Sequence, residues 1–277
     1  MIDTSELASF EKRYVCLEAN SAEEMQAWIT RQHANFRVEP LEEINAGTVA
    51  KISRATFDDV ALVSYRYNTA FQGDFSAEYD AYFLSLPISG SARRFSPQNG
   101  EIHHLPDQLL VYRGLDGLRN VISSDYAHVS LTVPAKLLEG HLRSIMGSEL
   151  KSPLSFTPLV GLDSGSGRAV SSLVNYIISQ FVHHSDPFGN AILSTTMKSY
   201  LCTVLLGNLN HNYSSAMRPG SVTAVPRTVK RAEEYMREVC AQAITIEELA
   251  DVAGCSARSL HAAFKAFRGS TPMSVLC

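Results

Sequence analysis

Arg258, His261 and Lys265 recur at intervals of three and four residues, with Ala262 beside them and Arg268 three residues further on. That spacing gathers them on one side of a helix. Between Gly254 and Pro272 there is no acidic residue. A cationic, acid-free helix face suits nucleic-acid recognition. Arg258 and His261 are fitted to donate to base edges, and Lys265 and Arg268 to bind phosphates.

Two short helices would have to hold that face. Thr245 with Glu248 three residues on forms a capping box, so a first helix is expected from Ile246 through Leu249 and Ala250 to Gly254. Gly254 tolerates the left-handed conformation of a sharp turn. Ser256 caps a second helix over 257–267, closed by Gly269, with Leu260, Phe264 and Phe267 on the face opposite the cations. A preceding helix fits Pro226 as its first residue and a buried stripe of Val229, Ala232, Met236 and Val239. The whole reads as a helix-turn-helix.

The ordered set Leu249, Ala250, Gly254, Ser256, Arg258, Leu260, Phe264, Lys265, Gly269, Thr271 and Pro272 resembles the first helix-turn-helix of the AraC/XylS family of bacterial transcription regulators. The resemblance implies a DNA-binding domain of two such units joined by a long helix beginning near Pro272. The chain ends at Cys277, so the second unit is expected to be absent and DNA binding weakened. Ala262 departs from the family, which often presents a long polar side chain there, but it stays in the expected DNA-facing set.

Upstream, 60–67, 82–88, 108–112 and 128–133 read as strands, with turn signals at Ser89-Gly90, Asn99-Gly100 and 114–117. Strands at this spacing suggest a barrel or jelly roll. Ser21 with Glu24 caps a short helix carrying Met25 and Trp28. Two stronger helices come after the strands. The first buries Val170, Leu173, Val174, Ile177, Ile178 and Phe181, and the second Leu193, Met197, Leu201, Val204 and Leu205. The segments 82–90, 133–139 and 154–156 look like the effector-binding half of the XylS-like branch, so the resemblance spans roughly residues 10 to 276. It implies a cupin-type barrel, helices that often dimerise, and effectors that are small aromatic or other catabolic compounds.

The expected class is α+β. An effector-binding and dimerisation domain fills 1–207, with a cupin-like barrel over about 44–133 and a helical hairpin over about 167–207. A flexible linker comes next at 208–224, rich in Asn, Ser, Pro and Gly, and then a partial, all-α DNA-binding domain at 225–277. With 45% apolar and 19% charged residues, 277 residues can build one large or two modest domains. The net charge of −4 argues against a protein coated for nucleic acid. Residues 226–277 carry seven Lys/Arg against six Asp/Glu, net +1, which leaves −5 for the rest. No run of about eighteen apolar residues suggests a membrane span, the N-terminus has no apolar signal core, and five scattered cysteines point to a reducing cytoplasm.

A catalytic barrel would need converging ligands or a paired nucleophile and base. His103, His104, His128 and Glu101 are the metal candidates, but adjacent histidines on a strand point to opposite faces, so only one of His103 and His104 can enter a barrel. His183-His184 suits a helix end, and 163–167 (DSGSG) suits a capping loop. No catalytic residue, metal or cofactor is expected. For an anionic effector, Arg66, Arg93 and His128 are candidate partners. Effector, operator DNA and a second copy of the chain are the expected partners. A sensor that dimerises without gripping DNA alone, or a cupin-like binding protein or enzyme, are the alternatives.

Overall fold

A computed structural model describes residues 2–32, 36–43, 47–75, 80–96, 100–116, 118–217, 227–239, 244–268 and 270–275. The chain divides into two compact units, Met1–Leu138 with Ser155–His211, and Glu139–Leu154 with Asn212–Cys277.

The first unit is built on two antiparallel sheets. The larger orders its strands β1 (Val15–Ala19), β3 (Ala50–Phe57), β4 (Val60–Tyr67), β11 (Ala127–Pro134), β6 (Ala81–Ser89), β9 (Gln108–Arg113) and β12 (Leu159–Gly161). The smaller orders β2 (Phe36–Pro40), β5 (Phe71–Phe75), β10 (Leu118–Ile122), β7 (Ala92–Ser96) and β8 (Gly100–His104). Alternation decides which side chains enter the space between them. Val63, Tyr65 and Tyr67 join its core with Phe71, Phe75, Ala92, Leu118 and Ile122 from the smaller sheet. The helix α2 (Ala22–Gln32) adds Met25 and Trp28 to the same core. Its start is fixed as expected, with Ser21 Oγ accepting from the Glu24 amide at 3.1 Å and Glu24 Oε2 accepting from the Asn20 amide at 2.9 Å.

The opposite face of β4 serves the helices. Glu11, on α1 (Thr4–Tyr14), accepts from Ser64 Oγ at 2.6 Å and from Arg66 Nε at 2.8 Å. Its Phe10 and Tyr14 pack on Phe181 of α4 (Gly165–His183), and Tyr14 donates its hydroxyl to the Phe181 carbonyl at 3.0 Å. The 163–167 loop caps α4 through Ser164 Oγ, which accepts from the Gly167 amide at 3.0 Å.

Three expectations give way to the structure, and five strands come without one. The barrel starts before residue 44, because β1, α2 and β2 belong to it. All five strands of the smaller sheet are five residues long, and their short, mixed runs carry no strand signal of their own. Leu193 of α5 (Ala191–Asn208) is 48% exposed rather than buried, since Ser194 and Cys202 take the inward face with Met197, Leu201, Leu205 and Leu206. The first half of the expected linker is ordered: Leu209 is buried, His211 bridges to Phe156, and α6 (Ser214–Met217) comes after. Its remainder, with Pro226 and Gly269, lies outside the described residues.

The second unit contains the helix-turn-helix with its own core. Helices α7 (Arg227–Glu238), α8 (Ile246–Ala253) and α9 (Ala257–Arg268) meet through Val229, Ala232, Met236, Leu249, Ala250, Leu260 and Phe264. A short α10 (Pro272–Val275) comes last. The capping box closes both ways, with Glu248 N to Thr245 Oγ1 at 3.2 Å and Thr245 N to Glu248 Oε2 at 2.8 Å. Gly254 sits at φ 71°, ψ 36°. Alanine there should destabilise the turn by about 1 kcal/mol, read as a lower helical melting midpoint.

Candidate effector cavity and DNA-reading helix

Between the two sheets lies a small cavity, with about 70 Å³ open to the centre of a water molecule. At roughly 10–15 Å³ of such space per water, it holds a handful of waters, or a compound of about one ring. Its walls are aromatic, from Tyr65, Tyr67, Phe71, Phe83, Tyr112 and Tyr126. The His128 ring stacks on Tyr65 at 4.8 Å and on Tyr126 at 5.0 Å. The polar groups on this wall are Arg94, Asn120, His128 and Ser130, with no carboxylate among the described lining residues.

Arg94 is 4% exposed. One terminal nitrogen, Nη2, reaches Tyr126 Oη at 3.3 Å and Ser85 Oγ at 3.5 Å, and the guanidinium carbon lies 5.3 Å from the Tyr112 ring centre. No carboxylate among the described residues pairs with it. Its Nε, His128 Nδ1 and Asn120 Oδ1 are all buried without a partner among the described residues. Behind the wall, Tyr126 Oη meets His104 Nδ1 at 3.1 Å, and His104 Nε2 meets the Gln108 carbonyl at 3.2 Å. A neutral His104 satisfies this chain: Nε2–H donates to Gln108, and Nδ1 accepts from the Tyr126 hydroxyl, whose oxygen accepts from Arg94. Burial, then the charge of Arg94, pulls the His104 pKa down to about 3. The same two causes in the same order, then His104, hold His128 well below the usual histidine range. Arg94 is thus the ionised group of the wall.

The sequence candidates fall differently. Arg66 is on the helix-facing side of β4, bound to Glu11. Arg93 points outward toward Glu101, 3.8 Å away. His128 lines the cavity. Of the adjacent pair, His104 is fully buried and His103 faces outward beside Glu101 at 3.3 Å. With both ring nitrogens of His104 engaged by protein groups, the metal candidates do not converge, and no three ligating side chains cluster among the described residues. Arg94 went unread. Its signal was the alternation Ala92, Arg94 against Arg93, Phe95 on a strand too polar to recognise.

On α9 of the second unit, Arg258, Ala262 and Lys265 are exposed and His261 is half-buried. Neither Arg258 nor Lys265 forms an ion pair among the described residues. Ser256 Oγ accepts from the Ser259 amide at 3.2 Å and fixes the start of the helix. Arg268 is differently employed. Its Nε and Nη2 clasp Glu233 of α7 at 2.5 and 3.0 Å, tying α9 to α7. That hydrogen bond, foremost, holds the Glu233 carboxyl below the usual range.

No helix among the described residues is long and apolar enough to cross a membrane. The sequence pattern of the AraC-binding-like domain family matches residues 25–206. The chain is 27% identical over 235 residues to the probable thc operon regulatory protein of Rhodococcus erythropolis, covering 82% of this chain and 68% of that protein. Among solved structures it is similar to the AraC-like transcriptional activator CuxR, at 13% identity and TM-score 0.49 over 91% of this chain and 88% of that one. KdgF from Halomonas sp. is similar at 10% identity and TM-score 0.27, over 35% of this chain and 86% of that one. The match over most of its length places the chain in the AraC-binding-like family, as an AraC-type transcription regulator with an effector-binding domain.

Proposed function

We propose that the barrel cavity is the effector site and that α9 reads operator DNA. The observation that carries the DNA half is the capped, separately cored helix-turn-helix whose outer face presents Arg258, Ala262 and Lys265 to solvent with no acid between Gly254 and Pro272. Arg258 and His261 donate to base edges, Lys265 binds a phosphate, and the Ala262 methyl packs on a thymine methyl. Arg268, held by Glu233, sets the angle of α9 rather than a register on the phosphates. The barrel is read as a receptor and not an enzyme, because its described lining residues offer binding groups and no activated nucleophile. A protein working on bacterial DNA belongs in the cytoplasm, which the free thiols of Cys16, Cys202 and Cys255 suit.

Binding of the purified chain to the DNA upstream of its own gene, measured across a salt series, tests this. Changing Arg258, His261 and Lys265 together to alanine should weaken binding by about 100-fold or more and flatten the salt slope by about 1. Equal affinity for unrelated DNA, unchanged in the triple variant, would leave the sensor-only reading in its place.

We further infer that a second copy covers the outer face of the α4–α5 hairpin. Tyr176, Ile192, Leu193 and Tyr200 are exposed there, by 47, 78, 48 and 55%, around an apolar groove. Such patches on soluble proteins mark interfaces. Leu193→Asp with Tyr200→Asp should shift sedimentation from dimer to monomer while the Trp28 emission stays native; a variant that still sediments as a dimer would exclude this face.

A further inference from the structure

The effector reading says where a ligand would sit, and the cavity wall says what charge it must carry; the charge assignment rests on that reading. A guanidinium remains protonated in any protein interior. Burying one without a counter-charge is costly, and structures normally repay it with a carboxylate. Arg94 has none among the described residues; its Nη2 bonds, at 3.3 and 3.5 Å, go to the neutral hydroxyls of Tyr126 and Ser85, another hydrogen bond goes to neutral Tyr112, and its Nε–H has no partner among them. The other arginines of the sheets that face carboxylates show the contrast: Arg66 has Glu11, Arg113 has Asp80, and Arg119 has Asp74. Those three pairs do not line the cavity; Arg94, the most buried cation among the described residues, is on its wall and pairs with no carboxylate among them.

The rest of the wall narrows the ligand. Histidines 104 and 128 are neutral and carry no compensating charge, and no acid lines the space among the described residues. The site therefore holds one positive charge and fits one negative charge. Tyr65, Tyr67, Tyr112 and Tyr126 line the space with aromatic surface suited to a flat or aliphatic body, and the space limits that body to about one ring. A guanidinium presenting Nε–H beside an Nη–H is the fork that a carboxylate fits with both oxygens.

We infer that Arg94 anchors an anion site in the barrel, and that the cavity takes a small organic monocarboxylate whose body lies among the four tyrosines. The carboxylate receives the free Nε–H of Arg94 and takes over the Nη2–H that otherwise makes the long 3.5 Å bond to Ser85 Oγ, and the ligand supplies the counter-charge that the fold omits. His128 Nδ1, buried and unpartnered among the described residues, lies on the same wall as a further polar contact.

The test uses the whole chain and matched pairs of probes, benzoate with benzamide and butyrate with butyramide, titrated by calorimetry. At least one acid should bind about tenfold or more tighter than its amide, since charge-assisted bonds far exceed neutral ones in a buried site. Arg94→Met should erase that preference, and Arg94→Lys should restore only part of it because an ammonium lacks the fork. Both variants are checked for folding by Trp28 emission, and the methionine variant without ligand should melt no lower than the parent, because it no longer buries an unpaired charge. Acid and amide binding equally, with Arg94→Met indifferent, would overturn the anion assignment while leaving the cavity as a receptor. Failure of all four probes to bind a folded parent would overturn the assignment as stated, and if neutral ring compounds such as toluene also fail, the effector reading of the cavity falls with it.

Discussion

Phe264→Ala should cost the helix-turn-helix about 4 kcal/mol, enough to unfold it at ordinary temperature. Phe264 is fully buried and, with Leu260 one turn earlier, fills the space between α7 and α8 against Val229, Met236 and Leu249. That core is small, so it has little surplus from which to absorb a missing ring. The unfolding is visible separately from the barrel. Trp28 is the single tryptophan of the chain and lies in the barrel core. The variant should lose helical circular dichroism and all operator binding while the Trp28 emission transition stays where it was. A full-strength DNA complex from Phe264→Ala would show that α9 does not depend on this core for its position.

The second large effect is acid lability of the barrel. His104 has a folded pKa of about 3 against an ordinary value of 6.5, lowered by burial first and by the charge of Arg94 second. The unfolded chain therefore takes up a proton between those values that the folded barrel refuses. Stability from this group is fully present above pH 6.5 and is lost as the pH falls toward 3. The loss is about 1.4 kcal/mol per pH unit, or about 2 kcal/mol by pH 5. His128, shifted in the same direction, adds to it. Melting monitored by Trp28 emission should fall steeply on the acid side, and His104→Gln should flatten that fall while keeping an amide donor for Gln108. A His104→Gln profile parallel to the parent's would mean that His104 gains its proton without resistance and that the Arg94–Tyr126–His104 chain does not hold together.

The reader half was legible because its signals are local. A capping box needs only Thr245 and Glu248, a tight turn needs Gly254, and a buried helix stripe needs Leu260 and Phe264 one turn apart. The larger sheet was legible where both of its faces are buried, since β4, β6 and β11 are buried nearly throughout and rich in apolar and β-branched residues. The smaller sheet was not. Apart from the β7–β8 hairpin, its strands pair with distant segments, β5 with β10 and β2, and β7 with β10, and each is too short to show a period. Arg94 was lost with β7, and the register of one residue separates it from the outward Arg93 that sequence reasoning preferred. Leu193 failed for another reason. Its helical spacing marks a buried stripe, but the surface it joins faces outward with Tyr176 and Tyr200.

β4 is a partition one residue thick. Tyr65 and Tyr67 stand on the cavity side, and Ser64 and Arg66 between and beside them are gripped by Glu11 of α1, which in turn packs on α4. Along this line of described residues the room where a ligand would be held and the helices behind it share a single wall. A ligand that pushed on Tyr65 would push on the far side through two Cα atoms and an ion pair. Occupancy in such a wall need not travel along the chain, because the pleat has already placed its two audiences back to back.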